Sequence, residues 1–166
     1  MEIGIIGLGK MGLGITKRLI NNGHNVFGFD SGWNEKTYSK EGLIYSDSIN
    51  DMLSKLGSSG PKIIWIMVPS GTATEMTINN LKESLNKGDI IIDGGNSYYK
   101  ESIKRSERLI NKGINFLDSG TSGGIWGEKE GYCLMVGGNK NIYSYCEPIF
   151  QSLASDSKGA GYMGKS

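Results

Sequence analysis

Near its start the chain carries Gly7-Leu8-Gly9-Lys10-Met11-Gly12, a G-x-G-x-x-G pattern. Glycines at this spacing let a chain turn tightly, approach an anion, and pack a helix closely against a strand. A helix opened this way turns unbonded N–H groups and the positive end of its dipole toward phosphate. The chemistry implied is the cradling of a pyrophosphate; the plain alternative is a structural turn. Asp30 follows Gly12 at close to the spacing of about 20 residues at which a carboxylate accepts hydrogen bonds from ribose hydroxyls. A 2′-phosphate would set a second anion beside it. At about 4 Å and an effective dielectric near 20, each unit of like charge costs about 4 kcal/mol, on the order of a thousandfold in affinity. Ser31, Gly32 and Trp33 bring no positive charge, and Lys36 is the nearest cation. NAD is therefore expected over NADP, unless Lys36 relaxes the preference or Asp30 merely caps a turn.

The elements that must position these residues alternate. Residues 2–6 read as a strand and a helix follows with Met11, Ile15 and Leu19 on one face, stopped by Gly23. Strands are expected over 25–29, 62–68, 89–93, 115–119 and 132–136. Helices are expected after Ser48, over 74–86 and 98–111, and finally with Ile142, Tyr145, Ile149 and Leu153 on one face. Pro148 should kink that last helix or start another. Alternation with short links predicts a single α/β domain over 1–166. Its Rossmann-like doubly wound, mostly parallel sheet would carry helices on both faces and bind ligand at the carboxyl ends of its strands.

Composition narrows the partners. Eighteen basic against 17 acidic residues give a net charge of +1, and no basic stretch is dense enough to suggest nucleic acid or an anionic membrane. The longest apolar runs are far too short to span a bilayer. Two cysteines suit a reducing compartment better than a disulfide framework. With no charged-then-apolar leader before the first strand, a cytoplasmic location is expected. His24, the sole histidine, follows Gly23 in a turn and is expected at the surface. No metal site is expected.

Two more segments fall at expected strand ends, Asp93-Gly94-Gly95-Asn96-Ser97 and Ser119-Gly120-Thr121-Ser122-Gly123-Gly124. Glycine pairs leave N–H groups open, while Asn96, Ser97 and Ser122 add neutral donors and acceptors, a set suited to a polyhydroxylated acid. Both could equally be capped turns, with Ser97 starting a helix. GLGKMG (7–12), WIMVPSG (65–71), IIDGGNS (91–97), SGTSGGIWGEKEGYCLMVGG (119–138) and EPIF (147–150) together resemble the 6-phosphogluconate dehydrogenases, within the wider β-hydroxyacid dehydrogenase superfamily. DGGNS is the discriminating motif, and the tract 125–131 looks most like the shorter, often NAD-linked branch.

The resemblance implies that Gly7, Leu8, Gly9, Lys10, Met11 and Gly12 hold the pyrophosphate, with Met11 near the nicotinamide. Asp30, Ser31 and Gly32 would meet the adenosine ribose, and Val68, Pro69 and Ser70 would line the cofactor. Asn96 would touch nicotinamide ribose and substrate, and Ser122, Gly123 and Gly124 would bind the sugar acid. The reaction implied is the pentose phosphate step from 6-phosphogluconate to ribulose 5-phosphate and carbon dioxide, with NAD(P) reduced and no metal. The family's catalytic lysine, a glutamate acid and an all-helical domain that completes the pocket and a homodimer do not appear in this chain. Lys165 is a minor candidate for the lysine, Tyr162-Met163-Gly164 better matching the stretch just upstream of it. The chain alone is therefore expected to be a monomer that binds cofactor without turnover. Gly14 replaces an asparagine common in the family, at a helix cost of about 1 kcal/mol. Two readings compete: another β-hydroxyacid dehydrogenase, acting on tartronate semialdehyde or hydroxyisobutyrate, and a stand-alone NAD-binding module without catalysis.

Overall fold

The computed structural model describes residues 1–32 and 42–166, so the roles considered for Trp33 and Lys36 lie outside the described residues. The elements run β1 (Glu2–Ile6), α1 (Lys10–Asn21), β2 (Asn25–Phe29), β3 (Ile44–Tyr45), α2 (Ile49–Lys55), β4 (Ile63–Ile66), α3 (Thr72–Ser84) and β5 (Ile90–Asp93). There follow α4 (Tyr99–Ile110), β6 (Asn115–Ser122), a 3-10 turn (Gly124–Trp126), α5 (Gly127–Glu130), β7 (Cys133–Gly138), α6 (Lys140–Leu153) and β8 (Ala160–Gly164). Their sheet order is β3-β2-β1-β4-β5-β6-β7-β8, parallel except for the β6/β7 pair. The first six strands follow the 3-2-1-4-5-6 order of a doubly wound sheet, which opens a crevice where the connections leaving β1 and β4 diverge.

Runs such as Ile63-Ile64-Trp65-Ile66 are apolar throughout because both faces of the sheet are covered. Ile63 and Trp65 face α1 and α6, where Trp65 meets the Phe150 ring edge-on at 5.9 Å. Ile64 and Ile66 face α2, α3 and α4, against Met52, Ile78 and Leu109.

Several expectations need correction. Strand β6 continues to Ser122, so most of the expected glycine-rich loop is strand paired with β7, and only Gly123 (φ 135°) and Gly124 (φ 50°) turn the chain. Helix α6 runs unbroken through Pro148. Pro148 therefore starts no second helix; Ser144 and Pro148 both face solvent, where water can replace the lost hydrogen bond. The buried stripe of α6 is Tyr143, Cys146, Ile149, Phe150 and Leu153, and Tyr145 is exposed. The stripe is rotated toward the unexpected strand β8, whose Tyr162 ring lies 5.4 Å from that of Tyr143. Gly14 makes room: a side chain there would overlap the hydroxyl of Tyr132, itself 1% exposed, so glycine is a packing requirement at this position.

His24 is buried, not at the surface. Ser152 Oγ donates to the Pro148 carbonyl at 2.8 Å and so accepts from His24 Nε2 at 2.8 Å. His24 Nδ1 then faces the N-terminal ammonium at 3.4 Å. Burial first, and then that ammonium, hold the imidazole below its ordinary value of 6.5. The unfolded chain therefore takes up this proton first, and the stability the neutral ring gives is present above 6.5 and lost as pH falls through and below it. Urea midpoints are expected to drop between about pH 7.5 and about pH 5.5, and His24→Gln should flatten that slope. An unchanged slope in the variant would place the titrating group elsewhere.

Candidate functional site

At the end of β1 the backbone turns at Gly7 (φ 94°), where a Cβ would come within 2.6 Å of the Met67 carbonyl oxygen. The third glycine of the motif, Gly12, lets α1 start directly against this turn, since a Cβ there would overlap the Gly7 carbonyl oxygen. Gly9, the residue before α1, differs from both: nothing lies within 4 Å of where its Cβ would be. Its space opens into the crevice, where the first amides of α1 have no partner within the helix. The first turn of α1 carries no acidic side chain to compete with an anion.

The crevice holds about 840 Å³ and runs from Phe29 and Ile49 past the glycine turn to Asn96. Among the expected cofactor residues, Gly7, Gly9, Lys10, Met11, Gly12, Asp30, Ser31, Val68, Pro69 and Asn96 line it. Leu8 does not: its side chain is in the core and its amide donates to Asp30 Oδ2 at 2.8 Å. Gly32 is off the wall, donating to Asp30 Oδ1 at 2.8 Å, and Ser70 lies exposed beyond Pro69. Asp30 thus does cap a turn, yet each of its oxygens keeps a second acceptor position, and the residue lines the crevice.

Asn96 is the single non-glycine residue at positive φ (54°) among the described residues. Its Oδ1 accepts from the Thr121 amide at 2.9 Å and its Nδ2 donates to the Thr121 carbonyl at 3.3 Å. This side-chain clamp ties the turn after β5 to β6. Ser97 starts no helix; its hydroxyl donates to Asp93 Oδ2 at 2.7 Å. Ser122, Gly123 and Gly124 sit at the end of β6, next to the residue Asn96 grips and outside the crevice wall. Lys165 is exposed just past β8, also off that wall. The tract 160–164 is a strand beside β7, with the Tyr162 hydroxyl donating to the Gly138 carbonyl at 2.9 Å. His24 precedes β2 and so stands at the opposite end of the sheet from the crevice. Among the described residues, no group of three or more His, Cys, Asp or Glu side chains could hold a metal ion, and no helix is long and apolar enough to cross a membrane.

Motif reading missed the α3 wall, formed by Ala73, Met76, Thr77 and Asn80. It also missed Arg105, buried beneath the turn that carries Asn96. The i, i+3, i+4 and i+7 spacing of the α3 residues was a signal available in the sequence, but it reads equally as an ordinary helix face.

The sheet order and the glycine-lined crevice at its switch point define a doubly wound domain of the dinucleotide-binding class. Residues 2–164 match the family described as the NAD binding domain of 6-phosphogluconate dehydrogenase, and the chain belongs to that family. It is 39% identical over 167 residues to the NAD(+)-dependent, decarboxylating 6-phosphogluconate dehydrogenase of Haloferax volcanii, covering 100% of this chain and 54% of that protein. A solved 6-phosphogluconate dehydrogenase of Plasmodium falciparum, studied with its cofactor NADP+ and its substrate 6-phosphogluconate, superposes with a TM-score of 0.89 at 25% identity. That match covers 100% of this chain and 37% of the other. The 3-hydroxyisobutyrate dehydrogenase of Mycobacterium tuberculosis shares the fold (TM-score 0.87, 20% identity), over 99% of this chain and 55% of its own. The chain spans about half the length of the first curated relatives it matches.

Gly12, which is packed, and Gly9, which is open, separate folding from binding. Gly12→Ala is expected to destabilise the chain by about 1–3 kcal/mol through overpacking. Gly9→Ala, which loses only a preferred residue before a helix, should cost at most about 1 kcal/mol while weakening dinucleotide binding. Urea midpoints and NADH titration of both variants check this; a Gly12→Ala chain as stable as the parent would contradict the packing described.

Proposed function

We propose that this chain is the cofactor-binding domain, residues 1–166, of a decarboxylating 6-phosphogluconate dehydrogenase that prefers NAD. The observation that carries the reading is the crevice itself. Gly9 leaves open the space a pyrophosphate needs, the unpartnered amides of α1 face it, and Asp30 stands along the same wall where ribose hydroxyls need an acceptor. Family membership supports the substrate, and the NAD(+)-dependent relative supports the preference inferred from Asp30. Val68 and Pro69 supply the facing wall, and Asn96 would bridge the nicotinamide ribose and the sugar acid. Ser122, Gly123 and Gly124 would hold the acid's far groups.

Bound NAD supplies the acceptor for the hydride leaving C3 of 6-phosphogluconate. The chain's own residues bind and orient. The C3 hydroxyl also needs a base, and the loss of carbon dioxide an acid, each within hydrogen-bond reach. His24 stands at the far end of the sheet from the crevice, and Lys165 is exposed just past β8. That base and acid and the dimer contacts would come from a further helical domain, so this chain alone acts as a monomeric binding module of a cytoplasmic enzyme.

Fluorescence titration with NADH and NADPH, checked by calorimetry, tests the reading. NADH is expected to bind at least about tenfold more tightly than NADPH. Asp30→Ala should narrow that gap, and no ribulose 5-phosphate should form. Equal or tighter binding of NADPH would overturn the NAD preference, and product formation would overturn the division of labour.

A further inference from the structure

Arg105 belongs to no motif and lies off the crevice wall, yet its side chain is only 3% exposed. A guanidinium buried to that degree needs full pairing. Arg105 meets three carboxylates: Nη1 reaches Asp93 Oδ2 at 3.2 Å, Nε reaches Glu75 Oε2 at 3.1 Å, and Nη2 reaches Glu101 Oε2 at 3.0 Å. These lie on β5, α3 and α4, so one planar cation joins three elements.

Asp93 carries the contact onward. Its side chain is 0% exposed, it accepts from the Gly95 amide at 3.1 Å through Oδ1, and it accepts from Ser97 Oγ through Oδ2. Between those two donors sits Asn96 in its left-handed conformation, which asparagine adopts more readily than other non-glycine residues and which its two hydrogen bonds to Thr121 hold. Glu75 extends the tie to the first turn of α3, next to Met76 on the crevice wall. The hydrogen bond from Arg108, and then that from Arg105, hold the Glu75 carboxyl below its usual range against the opposing effect of burial.

Building on the cofactor reading above, we propose that Arg105 is the positioning residue for the Asn96 end of the crevice. Through Asp93 it fixes the turn that presents Asn96, and through Glu75 it fixes the wall opposite. It touches no ligand and acts only through these groups. Lysine keeps the charge but cannot span three carboxylates in a fixed plane.

The Thr121 amide reports on this directly, because its acceptor is Asn96 Oδ1. In Arg105→Lys and in Asp93→Asn, hydrogen exchange at Thr121 is expected to speed up at least about tenfold while Ile91 and Ile92 stay protected. NADH, which extends past the pyrophosphate toward Asn96, should bind about tenfold more weakly, and ADP, which stops there, should bind unchanged. Should either variant fail to fold, Glu75→Gln, at a half-exposed partner of the same cation, is expected to give a smaller shift in the same direction. Unchanged Thr121 exchange, no NADH advantage over ADP in the parent, or equal losses for NADH and ADP would each overturn the proposal alone. A parent chain that binds neither nucleotide would overturn the cofactor reading and this proposal with it.

Discussion

Helix α1 can begin against the end of β1 only because Gly12 has no side chain to meet the Gly7 carbonyl oxygen. Much else depends on that approach. It aims the first amides of α1 into the crevice and brings the turn close enough for Leu8 to donate to Asp30. With Gly7 at φ 94° close beside the Met67 carbonyl, the ends of β1 and β4 meet at the floor of the crevice. A side chain at either glycine would push these pieces apart, and the site would lose its shape before it lost any ligand contact.

The fold uses one local device twice along the carboxyl edge of the sheet. Asp30 follows β2 and Asp93 ends β5, and each accepts hydrogen bonds from the turn that follows it. The difference between them is burial. Asp30 is partly open to solvent, which stabilises its charge and leaves acceptor positions available to a ligand. Asp93 is closed off, and a buried carboxylate needs a counter-charge, which Arg105 supplies from α4. One aspartate is thereby left open on the crevice, while the other shapes the turn that carries Asn96.

What could be read from the chain divides along physical lines. Strands β1, β2, β4 and β5 were legible because a sheet buried on both faces demands continuous apolar runs, and Ile63 to Ile66 and Ile90 to Ile92 supply them, while the two-residue β3 carries no such run and was not expected. The G-x-G-x-x-G turn and Asp30 were legible because their constraints are local. Strand β8 was not: Ala160-Gly161-Tyr162-Met163-Gly164 has little apolar weight, and its strand state comes from pairing with β7. Missing that partner also turned the expected face of α6 from Tyr143 to Tyr145. His24 looked like a turn residue because its burial depends on Ser152, 128 positions away. Arg105 was invisible for the same reason, since its partners Glu75 and Asp93 are joined to it only by the fold.

On the function proposed above, a dinucleotide lies across the β1/β4 crevice with its phosphates on α1 and its adenosine ribose on Asp30. A crystal structure of this chain grown with NAD tests this most directly. The expected result is pyrophosphate oxygens within hydrogen-bond distance of the first amides of α1, above Gly9, and ribose hydroxyls on the Asp30 carboxylate, with the Leu8 contact retained. A nucleotide bound elsewhere, or in the crevice with its phosphates turned away from Gly9, would contradict the account.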